Sequence, residues 1–190
     1  MVPVVPKLYG SNLIIGSNKT YVADICRRVL STQTHVQSTI VVYTASRCCP
    51  WKKLDIASVT CLCSKENTGL TVDLHEYQRV VIDATGNDRD KLRAVCVKHL
   101  KDKDPDRSLV YLTNETVSLQ DKTFWRLFDL VLITKTTAVA TQTVYFTMFG
   151  PATALGDLRT FKNTVKDLKK GYFLKADMAG AEKFGEGGEK

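Results

Sequence analysis

Leu13-Ile14-Ile15-Gly16-Ser17-Asn18-Lys19-Thr20 is the stretch from which the fold is inferred, because its apolar run stops at a glycine and passes into a lysine and a threonine. The segment that follows places apolar side chains at helical spacing, at Val22, Ile25, Cys26 and Val29. A strand, a short loop with glycine and lysine, and a helix form the arrangement in which backbone N–H groups surround a phosphate. The candidate nucleotide-binding residues are therefore Gly16, Ser17, Asn18, Lys19 and Thr20.

The loop departs from the full phosphate-binding pattern G-x-x-x-x-G-K-[ST] at both glycine positions, where Leu13 and Asn18 stand. Asn18 suits a tight turn because asparagine tolerates a positive φ, whereas Leu13 replaces a glycine with a core side chain. Lys19 and Thr20 keep the residue types that neutralise phosphate charge and bind Mg²⁺. Two interpretations follow: a loop that binds ATP with Mg²⁺, and a relict loop that marks an ancestry. The second is favoured.

The rest of the chain alternates between strand-like and helix-like segments. Strands are predicted at 7–15, 38–46, 59–63, 79–83, 108–114, 129–135 and 171–176, and helices at 20–30, 88–101, 120–127 and 155–168. The segment 137–149 fits either a strand or a helix. This alternation predicts an α/β fold, a three-layer sandwich with a mainly parallel central sheet. We expect a single domain over 1–178 and a disordered tail over 179–190, which is rich in Gly, Glu and Lys.

Composition narrows the class of protein. The chain has 190 residues, which suits one domain, and a net charge of +7, which favours a polyanionic partner such as nucleic acid or a nucleotide. Its six cysteines fall in apparent strands and helices with no signal peptide before them, which predicts an intracellular, reducing compartment. No apolar run approaches the roughly 18 residues that span a bilayer, so a membrane protein is not expected.

Asp83 ends the apolar strand 79–83, at the position where P-loop NTPases hold the Mg²⁺ shell. The alternative role for such an aspartate is a helix cap. Hydrolysing enzymes of this type generally place a second acid next, but Ala84 follows here. Unless Asp73, Asp88 or Glu115 substitutes, hydrolysis should be slow or absent.

The order of these features resembles the viral genome-packaging ATPases of poxviruses and giant viruses, in the FtsK/HerA class of P-loop motors. The features are the loop and helix at 13–30, the acid strand at 80–83, a strand at 108–114 ending in polar residues, Arg126 before a strand at 128–135, and a tail at 146–174. The resemblance implies a P-loop NTPase-like fold with ATP and Mg²⁺ as cofactors, and Thr20 and Asp83 as metal ligands. It also implies that Thr113 or Asn114 senses the γ-phosphate.

The resemblance further implies that Arg126 acts on the nucleotide of a neighbouring subunit, in a homo-oligomeric ring around double-stranded DNA. The other interpretation of Arg126 is a surface arginine whose stem packs beside Trp125. Because both loop glycines and the second acid are missing, the resemblance is to a diverged pseudo-ATPase of genome packaging or virion assembly. Such a protein would work in the host cytoplasm or nucleus, or in the virion.

Basic residues concentrate in two places. The first holds Lys98, Lys101, Lys103 and Arg107 and is diluted by three aspartates. The second is the better candidate for binding nucleic acid and holds Lys162, Lys166, Lys169 and Lys170. A solvated helix face is the alternative explanation for both.

Cysteine spacing suggests a zinc site only weakly. Cys48-Cys49 and Cys61-x-Cys63, with His75 further on, lack the C-x₂-C spacing of structural zinc sites. Buried thiols that pack as small apolar groups are the better interpretation.

Two further functions compete with the nucleotide-binding one. A non-catalytic interaction protein that binds a viral or host partner would keep the α/β fold without a ligand. A Rossmann-like nucleotide-binding protein would use the glycine turns at 16–18 and 83–87, but the chain has no G-x-G-x-x-G.

Overall fold

The computed structural model describes residues 10–16, 38–43, 51, 59–63, 73–85, 89–101, 106–113, 122–149, 155–168, 174–177 and 184–186. Its strands are β1 Ser11–Ile15, β2 Thr39–Tyr43, β3 Val59–Cys63, β4 Arg79–Asp83, β5 Ser108–Thr113, β6 Leu130–Ile133, β7 Leu174–Asp177 and β8 Phe184–Glu186. Its helices are α1 Arg89–Lys101, α2 Lys122–Trp125, α3 Ala138–Phe149 and α4 Leu155–Asp167, with a 3-10 turn at Leu74–Glu76. The predicted helix at 20–30 lies outside the described residues.

All these strands form one sheet in the order β3-β2-β4-β5-β1-β6-β7-β8. The six strands from β3 to β6 in that order are parallel to their neighbours, while β7 and β8 are antiparallel. The predicted α/β fold with a mainly parallel central sheet is therefore confirmed. The parallel strands lie where apolar runs predicted them, because a strand covered on both faces needs apolar side chains on both.

Both faces of the sheet are buried, since successive strand residues point to opposite sides. In β1, Leu13 and Ile15 belong to one apolar cluster and Ile14 to the other. Helices α1 to α4 pack on the Leu13 face, where Tyr111 of β5 meets Phe124 of α2 edge to face with ring centroids 5.2 Å apart. On the Ile14 face, Trp51 is the one packed residue from outside the strands among those described.

The ambiguous segment 137–149 is a helix, α3. Its threonine hydroxyls donate to backbone carbonyls one turn earlier, as Thr141 Oγ1 does to Thr137 O at 2.8 Å and Thr147 Oγ1 to Thr143 O at 2.8 Å. Tyr145 packs on Phe161 of α4 with ring centroids 5.3 Å apart. Packing against α4 decides the conformation here, because the many β-branched residues of α3 favour a strand by themselves. In α4 the predicted inward residues are all buried: Leu158, Phe161, Val165 and Leu168.

Beyond β6 the sheet continues with two antiparallel strands. Strand β7 pairs with β6, and β8 pairs with β7. Strand β8 falls inside 179–190, the range whose composition predicts a disordered tail, and the structure gives its residues Phe184–Glu186 as a strand. Phe184 is the one aromatic residue of that range, and aromatic residues favour strands.

A polar clamp fixes β1 against β6 at the amino ends of the two strands. The Ser11 backbone N–H and hydroxyl both donate to Asp129 Oδ2, at 2.9 and 2.7 Å. Gly10 has a φ of 64°, and a Cβ there would stand 2.7 Å from Asp129 Oδ2. The clamp sets the register in which Ile15 lies beside Ile133, and so brings the loops after β1 and β6 to the same edge of the sheet.

Candidate functional site

The topology of the sheet marks one crevice for a ligand. From β1 the chain proceeds to β2, toward the β3 side of the sheet, whereas from β5 it crosses β1 to reach β6 on the other side. In open α/β sheets, ligands bind outside the carboxyl ends of strands at such a switch point. The crevice between the ends of β1 and β5 is therefore the candidate site.

Gly16 stands at this crevice, directly after β1, and is buried. Its backbone N–H donates to Thr113 O at 3.1 Å, at the end of β5. On the other side, Thr134 N donates to Ile15 O at 2.8 Å. These bonds hold the end of β1 between β5 and β6. The other predicted loop residues, Ser17, Asn18, Lys19 and Thr20, lie outside the described residues, and their part in the site stays a prediction.

Asp83 ends β4 at the same edge, two strands from β1, which is about 10 Å across the sheet. It is buried, and both carboxylate oxygens accept hydrogen bonds. Oδ1 accepts from the Thr85 backbone N–H at 3.0 Å and the Thr85 hydroxyl at 2.5 Å, and Oδ2 accepts from Trp51 Nε1 at 2.7 Å. The carboxylate therefore stabilises the turn after β4 through Thr85 and holds the side chain of Trp51.

These contacts test whether the described residues fit a Mg²⁺ ion. Mg²⁺ needs near-octahedral oxygen ligands and keeps several waters, so a carboxylate that holds it must turn an oxygen toward the ligand crevice. Both oxygens of Asp83 accept hydrogen bonds from the protein. The Trp51 indole N–H is a donor only, so Trp51 could not join Asp83 as a second metal ligand. No group of three or more His, Cys, Asp or Glu residues that could hold a metal ion occurs within the described ranges. Both Asp83 oxygens are thus already held by protein donors, and Thr20 lies outside the described residues, so the metal-ligand role of the two residues stays a prediction.

The described residues supply no substitute for the second acid. Asp73 caps the turn Leu74–Glu76, where its Oδ1 accepts from the His75 backbone N–H at 2.9 Å. That turn precedes β4, so Asp73 lies at the amino edge of the sheet, and the whole of β4, about 13 Å long, separates that edge from Asp83. Ala84 is buried and carries no acid. Asp88 and Glu115, the other two candidates, lie outside the described residues.

Arg126 also lies at the amino edge of the sheet, because it follows α2 and precedes β6. The neighbouring Leu127 O accepts from the hydroxyl of Ser11, the first residue of β1, at 3.1 Å. Arg126 is exposed, and Trp125 beside it is fully buried. The structure does not bring Arg126 to Gly16 or Asp83 of its own chain, and its action on a neighbouring subunit's nucleotide stays a prediction. Asn114 lies outside the described residues, while Thr113 before it is buried.

The candidate nucleic-acid residues lie partly on α4. Lys162 Nζ donates to Gln142 Oε1 of α3 at 2.8 Å, and Lys166 is exposed one turn further along α4. Lys169 and Lys170 lie outside the described residues. Two lysines of the four thus share a solvent-accessible helix.

The cysteines do not assemble a zinc site in the described part of the chain. Cys63 is buried in the apolar cluster around Trp51, and Cys61 Sγ donates weakly to Trp51 O at 3.7 Å. His75 contacts Arg107 and stacks on His99 at the amino edge, away from both thiols. Cys48 and Cys49 lie outside the described residues.

Two residues at the carboxyl edge were not predicted from the sequence to belong to the site. Lys135 is exposed and comes directly after Thr134, whose hydroxyl also donates to Ile15 O at 3.2 Å. The available signal was Thr134-Lys135-Thr136-Thr137 between a strand and a helix, the same order of elements as in the first loop. Trp51 is the second, and no sequence pattern joins it to Asp83, 32 residues away.

Comparison with known proteins gives likenesses of fold. No family model and no curated protein sequence matches the chain. The genome packaging NTPase B204 from Sulfolobus turreted icosahedral virus 2, solved in complex with ATP-gammaS, is similar with a TM-score of 0.49 and 14% identity over 94% of this chain and 96% of that chain. The same NTPase in complex with AMPPCP matches with a TM-score of 0.49 and 13% identity over 93% and 96% of the two chains.

Among the described helices, none has the length and apolar character that crossing a membrane requires.

Proposed function

We propose that this chain is a diverged, P-loop NTPase-like viral protein that binds ATP at the carboxyl ends of β1 and β5 and hydrolyses it slowly or not at all. The observation that carries the proposal is the switch point, where Gly16 is held between β5 and β6 and the predicted loop 17–20 begins. An α/β sheet offers a ligand crevice at that place, and a chain entering it with Ser, Asn, Lys and Thr offers donors to a phosphate.

Charge at the crevice supports a polyphosphate ligand. Lys135 follows β6, the strand next to β1, and so stands at the same edge as the loop that contains Lys19. A triphosphate carries several negative charges, and lysines at its two sides neutralise them as point charges. The chain carries an excess of seven positive charges, which favours the approach of an anion.

Weak or absent hydrolysis is proposed from the carboxylates. Attack of water on a γ-phosphate needs a positioned acid or amide and a metal that neutralises developing charge. Here Asp83 is engaged by Trp51 and Thr85, Ala84 follows it, and Asp73 lies at the other edge. Arg126 also lies at the other edge, away from Gly16 and Asp83 of its own chain.

We further propose a role in genome packaging or virion assembly, with double-stranded DNA, a viral or host protein or further copies of the chain as partners. Lys162 and Lys166 on α4 are the described residues offered to DNA phosphates, together with Lys169 and Lys170. Such contacts act through release of counterions, so affinity for DNA should fall steeply with salt. This role places the protein in the host cytoplasm or nucleus, or in the virion.

The test is equilibrium binding of ATPγS and turnover of ATP by the full chain, beside Lys19→Ala. Lys101→Ala is the matched control, because Lys101 is an exposed lysine at the end of α1, at the amino edge. We expect ATPγS to bind, Lys19→Ala to weaken binding by about tenfold or more, roughly 1.4 kcal/mol, and ATP turnover to stay at background. Equal binding by Lys19→Ala and the wild type would exclude the loop as the site, and turnover comparable with typical enzymes would exclude the impaired form.

One observation favours a second candidate, a non-catalytic interaction protein. Asp83 has its hydrogen bonds satisfied by the protein alone, as expected of a residue kept for structure. This candidate predicts no ATPγS binding at all and a Lys19→Ala protein that behaves as wild type in assembly.

A further inference from the structure

The Asp83 carboxylate is satisfied without any cation. A carboxylate offers about four acceptor positions, and three are used here, two on Oδ1 by Thr85 and one on Oδ2 by Trp51. With only 5% of its surface exposed, Asp83 would be costly to bury as an ion unless such partners were present. The three donors therefore supply what a bound cation supplies at an exposed carboxylate.

Both the side chain and the backbone carbonyl of Trp51 take part in hydrogen bonds. Its indole N–H lies 2.7 Å from Asp83 Oδ2, and its backbone carbonyl accepts from Cys61 Sγ at 3.7 Å. The ring is 1% exposed and packs in the cluster that includes Tyr43 and Cys63. Turning the indole away from Asp83 would break a charge-assisted hydrogen bond and expose a large apolar ring, so the contact should persist when a ligand enters the crevice.

We infer that Trp51 stands in for a divalent cation at Asp83, and that the nucleotide site binds its ligand with an affinity that does not depend on Mg²⁺. The inference rests on the proposed function, because it concerns the same crevice. Lys135, exposed at the same edge, supplies positive charge to the phosphates, and Asp83 serves to hold the turn at Thr85 in place. The ligand class is accordingly a nucleoside polyphosphate free of metal.

The experiment measures ATPγS binding to the full chain in excess EDTA and in excess Mg²⁺, for the wild type and for Trp51→Phe. For the wild type we expect the two dissociation constants to agree within about threefold, less than about 0.7 kcal/mol. In Trp51→Phe, Asp83 Oδ2 loses the indole donor, so both of its acceptor positions and its orientation become available to the cation. Binding by that variant should then become about tenfold tighter with Mg²⁺ than without it.

A second variant keeps the test independent of how well Trp51→Phe folds. Asp83→Asn in the otherwise wild-type chain should shift the dissociation constant by the same factor in EDTA and in Mg²⁺. Binding of Mn²⁺ alone, followed by its paramagnetic resonance signal, gives a readout without nucleotide: the wild type should leave the free Mn²⁺ signal unchanged, and Trp51→Phe should reduce it.

The outcomes separate the two proposals. Wild-type binding that tightens tenfold or more with Mg²⁺, and loses that gain in Asp83→Asn, overturns the inference and leaves the proposed function standing. If the dissociation constant of Trp51→Phe for ATPγS is the same in EDTA and in Mg²⁺, Trp51 does not take the place of a cation and the inference is wrong. Absence of ATPγS binding in both media overturns the proposed function, and the inference with it.

Discussion

Replacement of Trp51 by phenylalanine should destabilise the fold by more than its change in size accounts for. The substitution keeps a buried aromatic ring but deletes the N–H that meets Asp83 Oδ2 at 2.7 Å. A hydrogen bond to a charged group contributes about 1.5–3 kcal/mol, and its loss leaves a buried carboxylate oxygen without that donor. We therefore expect about 1.5–3 kcal/mol of destabilisation in addition to the packing lost with the smaller ring.

The chain offers a matched control in Trp125→Phe. Trp125 is as fully buried as Trp51, but its indole N–H meets no acceptor within the part of the chain that the structure describes. The two substitutions thus remove the same atoms, and the difference between them isolates the hydrogen bond. Trp51→Phe should lose about 1.5–3 kcal/mol more than Trp125→Phe in the free energy of unfolding.

The assay is urea unfolding followed by far-UV circular dichroism, with Asp83→Asn and the double variant Trp51→Phe/Asp83→Asn completing a double-mutant cycle. Residues in direct contact show interaction energies of about 0.5–3 kcal/mol in such cycles, and the cycle should return at least about 1 kcal/mol. Additive effects, or equal losses in Trp51→Phe and Trp125→Phe, would refute the account of Asp83 as a carboxylate held by the indole.

Three more predictions concern the clamp, the crevice and the core. Gly10→Ala should destabilise the protein by about 1–3 kcal/mol, because it puts a side chain at a φ of 64° and a Cβ 2.7 Å from Asp129 Oδ2; an unchanged urea midpoint would contradict the clamp. Lys135→Gln should weaken ATPγS binding about fivefold to tenfold and leave adenosine binding unchanged, whereas Lys101→Gln should affect neither; equal behaviour of the two variants would remove Lys135 from the site. Burial raises the pKa of the Cys96 thiol, so the native state keeps its proton while the unfolded chain loses its own above about pH 8.5. The stability that Cys96 contributes should be fully present below that pH and fall by up to about 1.4 kcal/mol per pH unit above it. Cys96→Ala should flatten this slope in urea titrations at rising pH, and an equally steep slope would contradict it.

Most of the fold was predictable because its signals are local. The strand Arg79–Asp83 is an apolar run ending in a carboxylate, and α4 repeats its apolar residues at helical spacing. The segment of α3 was ambiguous for a physical reason. It has no charged residue and many β-branched ones, so its sequence does not separate an apolar helix face from a polar one. Only its packing on Phe161 decides that it is a helix.

The position of Arg126 was predictable in part. A residue that directly precedes a parallel strand lies at the amino edge of the sheet, and the carboxyl ends lie at the other. The sequence placed Arg126 before a strand and Asp83 at the end of one, which already separates them by the length of a strand. The same reasoning assigns Asp73 to the amino edge.

The partner of Asp83 was not predictable. The contact with Trp51 depends on the order of strands in the sheet and on the course of the chain between β2 and β3, neither of which leaves a local signal. A buried carboxylate after an apolar strand has the same sequence pattern whether it faces a cation or an indole. Sequence therefore located the candidate site and left its chemistry open.

Hydrogen exchange of the backbone amides with and without ATPγS tests the central claim most directly, because it reports where the ligand binds. The account predicts slower exchange in peptides covering 10–20 and 108–114, at the ends of β1 and β5, with no change in peptides covering α4. Protection confined to α4 or to the amino edge of the sheet, or no protection anywhere at saturating ATPγS, would contradict it.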